Sequence, residues 1–116
     1  MELKEKEVLE LIESKEKFVL KVFMDGCSFC ADYAPIYEEA AKNRPGIKFA
    51  SMNLPASTSG SSDFKRKYMT VSGKEKLSAP ATFVFENGEM KYRHYGKMSA
   101  SDLGNFLETG KGPGND

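Results

Sequence analysis

Two periodicities run through the chain. Over residues 3–14, Val8, Leu11 and Ile12 share one stripe among charged positions, which predicts an amphipathic helix. Phe18 to Met24 is an almost unbroken β-branched and aromatic run, as in a strand buried on both faces, with Lys21 its one charged residue. Asp25-Gly26 breaks that run. From Ser28 to about Lys42, Ala, Tyr, Ile and Glu favour a helix, which Pro35 should kink. Pro45-Gly46 ends it, and Ile47 to Leu54 predicts a second strand.

Pro55 to Ser62 is a Ser/Gly/Thr-rich loop, and Ser62-Asp63 can cap a short helix running to Tyr68 or Met69. Val71 to Ala79 has no periodicity and is expected to be irregular. Ala81–Glu86 and Glu89–Tyr95 are joined by Asn87-Gly88, whose tolerance of positive φ predicts a tight antiparallel hairpin. Ser99 with Asp102 opens a last helix carrying Leu103, Phe106 and Leu107, and Gly110 closes it. Residues 110–116 have nothing to bury and are expected to be a flexible tail after a single domain over 1–109. The order α-β-α-β-α-β-β-α predicts an α/β fold. Its mixed central sheet has about four strands, with helices on both faces.

Composition narrows the functions. The 116 residues suit one domain. Seventeen Lys+Arg balance 17 Asp+Glu, so no net charge draws the chain to nucleic acid or an anionic membrane. The longest apolar stretch is far short of the ~20 residues of a membrane span. The charged N-terminus lacks the apolar core of a signal peptide, which points to a cytoplasmic protein; a processed exported chain would look the same. The balance is local as well as global. Asp25 to Glu39 holds four acids and no base, whereas Lys65, Arg66, Lys67, Lys74 and Lys76 cluster further on.

Cys27 and Cys30, in Cys-Ser-Phe-Cys, are the only cysteines. A disulfide closing so short a loop constrains the unfolded chain very little, so stapling is a poor reason for the pair. Structural zinc needs four ligands, and the only histidine is His94, far along the chain. A redox dithiol is the strongest reading if the pair sits between a strand and a helix.

This arrangement resembles the thioredoxin-like family over residues from about 18 to 109. Pro35 follows the second cysteine by five residues, as the family's helix-kinking proline does. Phe49-Ala50-Ser51-Met52-Asn53 is similar to the strand that usually reads Ala-Lys-Leu-Asn. Ala79-Pro80 followed by Thr82 to Gly88 is similar to the cis-proline strand and hairpin, and Gly96 closes the next strand. The departures are Gly26 for the usual Trp, Ser28-Phe29 between the cysteines, Lys21 for a buried Asp, and Ser51 for its Lys partner. The stretch from Asn53 to Pro80 is also about ten residues longer than in a minimal thioredoxin, and no glutathione-binding Gly-Gly follows the hairpin.

The resemblance implies a thiol–disulfide oxidoreductase acting on protein disulfides or dithiols, with Cys27 as nucleophile and Cys30 as resolving thiol. A free cysteine with a pKa of ~8.5 is only about 3% ionised at pH 7, and a helix N-terminus corrects this by favouring the thiolate. Pro80, if cis, turns the backbone of Ala79 toward the dithiol, so that Ala79, Pro80 and Gly26 would receive an extended substrate. Ser28, Phe29 and Lys21 would modulate the pair. The Lys21 ammonium either stabilises the Cys30 thiolate or snorkels to the surface. Asp25 and Asp32 read as solvated, His94 as an ordinary strand residue, and Tyr33, Tyr37, Tyr92 and Tyr95 as packing. Lys74 and Lys76 would lie on the rim, where a partner could touch them. The protein is expected to be a monomer needing no cofactor or metal beyond an external electron donor or acceptor. The alternative is a non-turnover binding or assembly module, holding a partner or sharing a metal or iron–sulfur centre across a dimer.

Overall fold

Phe18–Phe23 forms β1, hydrogen-bonded along both edges inside a four-stranded sheet, which is the position its continuous apolar run requires. The structure, a computed structural model, describes residues 1–54, 62–76 and 78–113. In chain order the described elements are α1 (Glu5–Glu13), β1, α2 (Ser28–Lys42), β2 (Lys48–Asn53), α3 (Asp63–Tyr68), β3 (Thr70–Val71), β4 (Lys74–Glu75), β5 (Ala81–Glu86), β6 (Glu89–Tyr95) and α4 (Ala100–Thr109). The main sheet runs β2-β1-β5-β6. β1 pairs parallel with β2 across the α2 crossover and antiparallel with β5, and β5 pairs antiparallel with β6. This is the mixed α/β sheet expected from the pattern.

Strand alternation sorts the core into two layers. Phe18, Leu20 and Val22 face α1 and α3, with Val8, Ile12, Phe64, Met52, Phe83 and Phe85. Val19 faces α2 and α4, with Tyr33, Tyr37, Val84, Leu103 and Phe106. Lys21 belongs by alternation to the second layer, where its register partners are Ser51 on β2 and Thr82 on β5.

Local chemistry accounts for the element ends. Ser62 Oγ accepts from Lys65 N at the start of α3, and Ser99 Oγ accepts from Asp102 N at the start of α4. Asn87 and Gly88 take φ of 58° and 83°, the tight turn that their dipeptide predicts. The loop expected over Pro55–Ser62 lies, apart from Ser62, outside the described residues.

Two expectations need correction. The stretch from Val71 to Ala79 is not wholly irregular, since β3 and β4 form a two-residue hairpin, Thr70 opposite Glu75 and Val71 opposite Lys74. Ser72 and Gly73 make its turn at positive φ. Tertiary anchoring supports it: Arg93 Nη1 donates to Tyr68 O at 3.0 Å and to Thr70 O at 3.2 Å, and Tyr95 Oη donates to Lys76 O at 3.3 Å. Secondly, the helix expected over residues 3–14 begins only at Glu5. Leu3 N donates to Ser51 O and Ser51 N to Met1 O, which lays Glu2 parallel beside β2. At the other end Gly110 and Gly112 pass so close to Tyr92 and His94 that a Cβ on either would clash. No helix among the described residues is long and apolar enough to cross a membrane.

Phe83 is fully buried, with its ring against Phe64 and Phe85. Phe83→Ala should lower the free energy of unfolding by about 3–5 kcal/mol, read from the urea midpoint; a loss under ~1 kcal/mol would contradict this packing. Tyr33 Oη and Thr82 Oγ1 are 2.8 Å apart, and burial pushes Tyr33 up to about 12 despite that hydrogen bond. Burial, with Tyr33 beside it, also holds Tyr37 well above the ordinary tyrosine range. The folded chain therefore keeps protons that an unfolded tyrosine loses from about pH 10, so stability is full below that pH and falls as pH rises toward 12. Melting temperatures across this range should drop less steeply in Tyr33→Phe than in the wild type.

Candidate active site

At the end of β1 the chain turns through Met24, Asp25 and Gly26 and enters α2. Gly26 takes φ of 75°, and a Cβ there would meet nothing within 4 Å. Glycine is therefore used for its backbone conformation and not for lack of space. The next residue, Cys27, is the N-cap of α2, and its Sγ accepts from Cys30 N at 3.2 Å. Cys30 lies one turn into the helix, and the two are joined as a disulfide with Cα atoms 5.2 Å apart. The pair thus sits between a strand and a helix, where a redox dithiol belongs.

The two sulfurs differ in access. Cys30 is 5% exposed, whereas Cys27 is half-buried at the helix mouth. On reduction, the unpaired amides of the first helical turn face Cys27. The Cys30 N–H already directed at its Sγ becomes a charge-assisted hydrogen bond to a thiolate. Cys27 is therefore the sulfur that a partner can reach, and Cys30 lies behind it.

Across from α2 the Ala79-Pro80 peptide bond is cis. Cys27 Sγ lies 3.6 Å from Ala79 O, to which a reduced Cys27 S–H can donate. Gly96 N donates to Pro80 O, which ties this corner to the end of β6. The Ala79 carbonyl therefore faces the accessible sulfur, with Gly26 just before Cys27 in the chain and Pro80 just after Ala79. Ser28 and Phe29 are exposed on the first turn of α2; the Phe29 ring is 58% exposed, with Lys97 Nζ 5.3 Å from its centroid. Lys97 also meets Asp32 at 3.3 Å, leaving Asp32 a surface residue. Asp25 is exposed but held, accepting from Asn53 Nδ2 at 2.9 Å; Asn53 Oδ1 is buried without a partner.

Lys21 does not snorkel. It is 7% exposed, with Nζ 5.0 Å from the Tyr37 ring centroid and 5.6 Å from that of Phe23. Burial lowers its pKa below the usual lysine range, and the carboxylates of Glu38 and Glu2 raise it in opposition. His94 stands apart from the cysteines, opposite Thr82 on β6 and 6.1 Å from the Phe106 ring. Among the described residues no three His, Cys, Asp or Glu side chains cluster to hold a metal. Tyr33 and Tyr37 are core residues, the latter with its hydroxyl 2.6 Å from Ala50 O and 3.0 Å from Val19 O. Tyr92 and Tyr95 are half-buried on β6.

Sequence reasoning missed Glu38, Glu2 and Arg93, and it read Tyr95 as packing without its hydrogen bond to Lys76. Glu38 had a signal, since Ala31, Ala34 and Glu38 recur at helical spacing on the face next to Cys30. Glu2 had none, because its position depends on an edge pairing with Ser51 that no local pattern encodes.

No family model matches the chain. A thioredoxin from Mycoplasmoides gallisepticum is 22% identical over 102 residues, spanning 88% of this chain and 92% of that protein. Among solved structures, thioredoxin f2 of Chlamydomonas reinhardtii superposes with a TM-score of 0.71 at 13% identity, covering 95% of this chain and 96% of that one. Plasmodium falciparum thioredoxin superposes with a TM-score of 0.70 at 21% identity, covering 92% and 95%. The chain therefore has the thioredoxin fold, with a thioredoxin among its sequence relatives.

Gly26→Ala should cost about 1 kcal/mol through its φ alone, because the added methyl meets no neighbour. A loss above ~3 kcal/mol in denaturant melts would show instead that the turn is closed around this residue.

Proposed function

We propose that the chain is a thiol–disulfide oxidoreductase that exchanges disulfides with protein partners through a mixed disulfide at Cys27, resolved by Cys30. One observation carries this reading: an accessible sulfur at a helix N-cap, backed by a buried sulfur one turn later and faced by the backbone of a cis-proline corner. In the reducing direction the Cys27 thiolate attacks a partner disulfide, forming a Cys27–partner disulfide and releasing one partner thiolate. Cys30 then gives up its proton, attacks Cys27 Sγ and expels the second partner thiolate. Two electrons pass to the partner, and Cys27–Cys30 becomes the disulfide. The reverse sequence oxidises a dithiol. Which direction dominates depends on the external donor or acceptor.

Partner contact is supported by the rim. An extended segment can pair with the Ala79 backbone while Phe29 offers an exposed apolar surface. The hairpin β3–β4 carries Lys74 on one arm, and Lys76 follows it with Nζ 4.7 Å from the Tyr95 ring centroid. Tyr95 pairs with Ala81, next to Pro80, so Lys76 stands near the cis-proline end of the sheet. A partner with acidic residues flanking its cysteines would fit. A monomer suffices, because every group in this scheme comes from one chain. The non-turnover alternative has no comparable support: no observation favours a shared metal centre, and an accessible thiol backed by a resolving thiol serves turnover.

Cys30→Ser removes the resolving thiol, so the Cys27-linked intermediate should persist. Incubated with a disulfide-containing protein, this variant should form a covalent adduct that dithiothreitol releases, and Cys27→Ser should form none. Equal adduct yields from the two variants would overturn the assignment of roles.

A further inference from the structure

A lysine buried inside a strand is costly unless something holds its charge, and the exchange steps above make no use of Lys21. Its surroundings are specific. A cavity of about 380 Å³ opens beside the dithiol, lined among others by Lys21, Cys30, Ala31, Ala34, Glu38 and Glu2. Ala31 and Ala34 are the small residues of the α2 face between Cys30 and Glu38, and their size leaves a water-accessible gap behind the resolving cysteine. Lys21 enters from β1, set by register between Ser51 and Thr82, with Tyr37 and Phe23 rings against its ammonium.

We propose that the Lys21 ammonium stabilises the Cys30 thiolate across this cavity and so sets the rate of the resolving step. The inference rests on the thiol–disulfide exchange proposed above and names the residue that makes its second half fast. Burial in apolar surroundings holds a cysteine as the unreactive thiol. A cation on the same cavity offsets that, while the thiol proton leaves through cavity water to solvent. Other charges bearing on Lys21 are Glu38 from α2 and Glu2 from the segment beside β2, with Asp25 at the cavity rim. Tyr37 contributes its ring face, its hydroxyl being tied to backbone carbonyls. Thr82 and Ser51, from the flanking strands, carry no charge. The carboxylates hold Lys21 charged and also oppose the thiolate, so removing a lysine charge and removing a glutamate charge act on Cys30 with opposite sign.

The two steps separate with a coloured probe, the disulfide of nitrothiobenzoate. Cys27 thiolate attacks it, forming the Cys27–nitrothiobenzoate disulfide and releasing one coloured thiolate. Cys30 thiolate then displaces the second and closes Cys27–Cys30. Near neutral pH, Lys21→Met should slow the second release about three- to fourfold, since raising Cys30 by about one pKa unit cuts its thiolate about tenfold but makes that thiolate about threefold more nucleophilic, and should leave the first within about twofold. The variant's rate should catch and then exceed the wild type's as pH rises past its own Cys30 ionisation. Lys21→Arg should restore the neutral-pH rate, and Glu38→Gln, on an exposed position, should speed it. A second release within about twofold of wild type in Lys21→Met, or slowed by one factor at every pH, would overturn the role of Lys21. If Lys21→Met does not fold, an unchanged or slower second release in Glu38→Gln would overturn it. Loss of the first release in the wild type would instead strike at the exchange function itself.

Discussion

The site depends on β1 being hydrogen-bonded on both edges. β1 pairs over its whole length with β2 and nearly so with β5, so the chain leaves the sheet at one defined point, after Phe23. β5 begins at Ala81, which pairs with Val22, so Ala79-Pro80 enters the sheet beside the turn that carries Gly26 and Cys27. The antiparallel register of these two strands is therefore what brings Cys27 Sγ to 3.6 Å from Ala79 O, across 52 residues of sequence. A one-residue slip of that register would reverse the faces of β5 and expose Phe83 and Phe85 on the wrong layer.

The same constraint explains why the two sulfurs are unequal. The helix that follows must pack Tyr33 and Tyr37 against Val19 and Val84, which turns Cys30 inward with them and leaves Cys27 at the mouth. Hydrogen bonds reinforce that seating, because the buried tyrosine hydroxyls need partners and find them on Thr82, Ala50 and Val19. α2 runs without interruption past Pro35, which lacks an N–H for the Ala31 carbonyl. Electrostatics then divides the work: helix-terminal amides bear on Cys27, and the buried Lys21 ammonium shares a cavity with Cys30.

Much of the fold was legible because its signals are local. The run from Phe18 to Phe23, the Asn87-Gly88 turn, and the Ser62 and Ser99 caps each specify an element from neighbouring residues, and α2 spans Ser28–Lys42 as the composition suggested. The Cys27–Cys30 spacing likewise placed the redox pair. What escaped was carried by long-range contacts. The β3–β4 hairpin has only two residues per strand and is anchored by Arg93 and Tyr95 from β6, so no periodicity announces it. Glu2 gains its place from pairing beside β2. Lys21 was visible as an anomaly in an apolar run, but whether it reached solvent depended on what lay over it, which is Tyr37 from another element.

Catalysed reduction of a protein disulfide tests the central claim most directly. With dithiothreitol as electron donor, the rate at which a disulfide-linked protein substrate is reduced should rise in proportion to the concentration of this chain. Replacing Cys27 by Ser should return it to the uncatalysed rate. Reduction no faster with the wild-type chain than without it, or acceleration that survives loss of Cys27, would contradict thiol–disulfide exchange at this site.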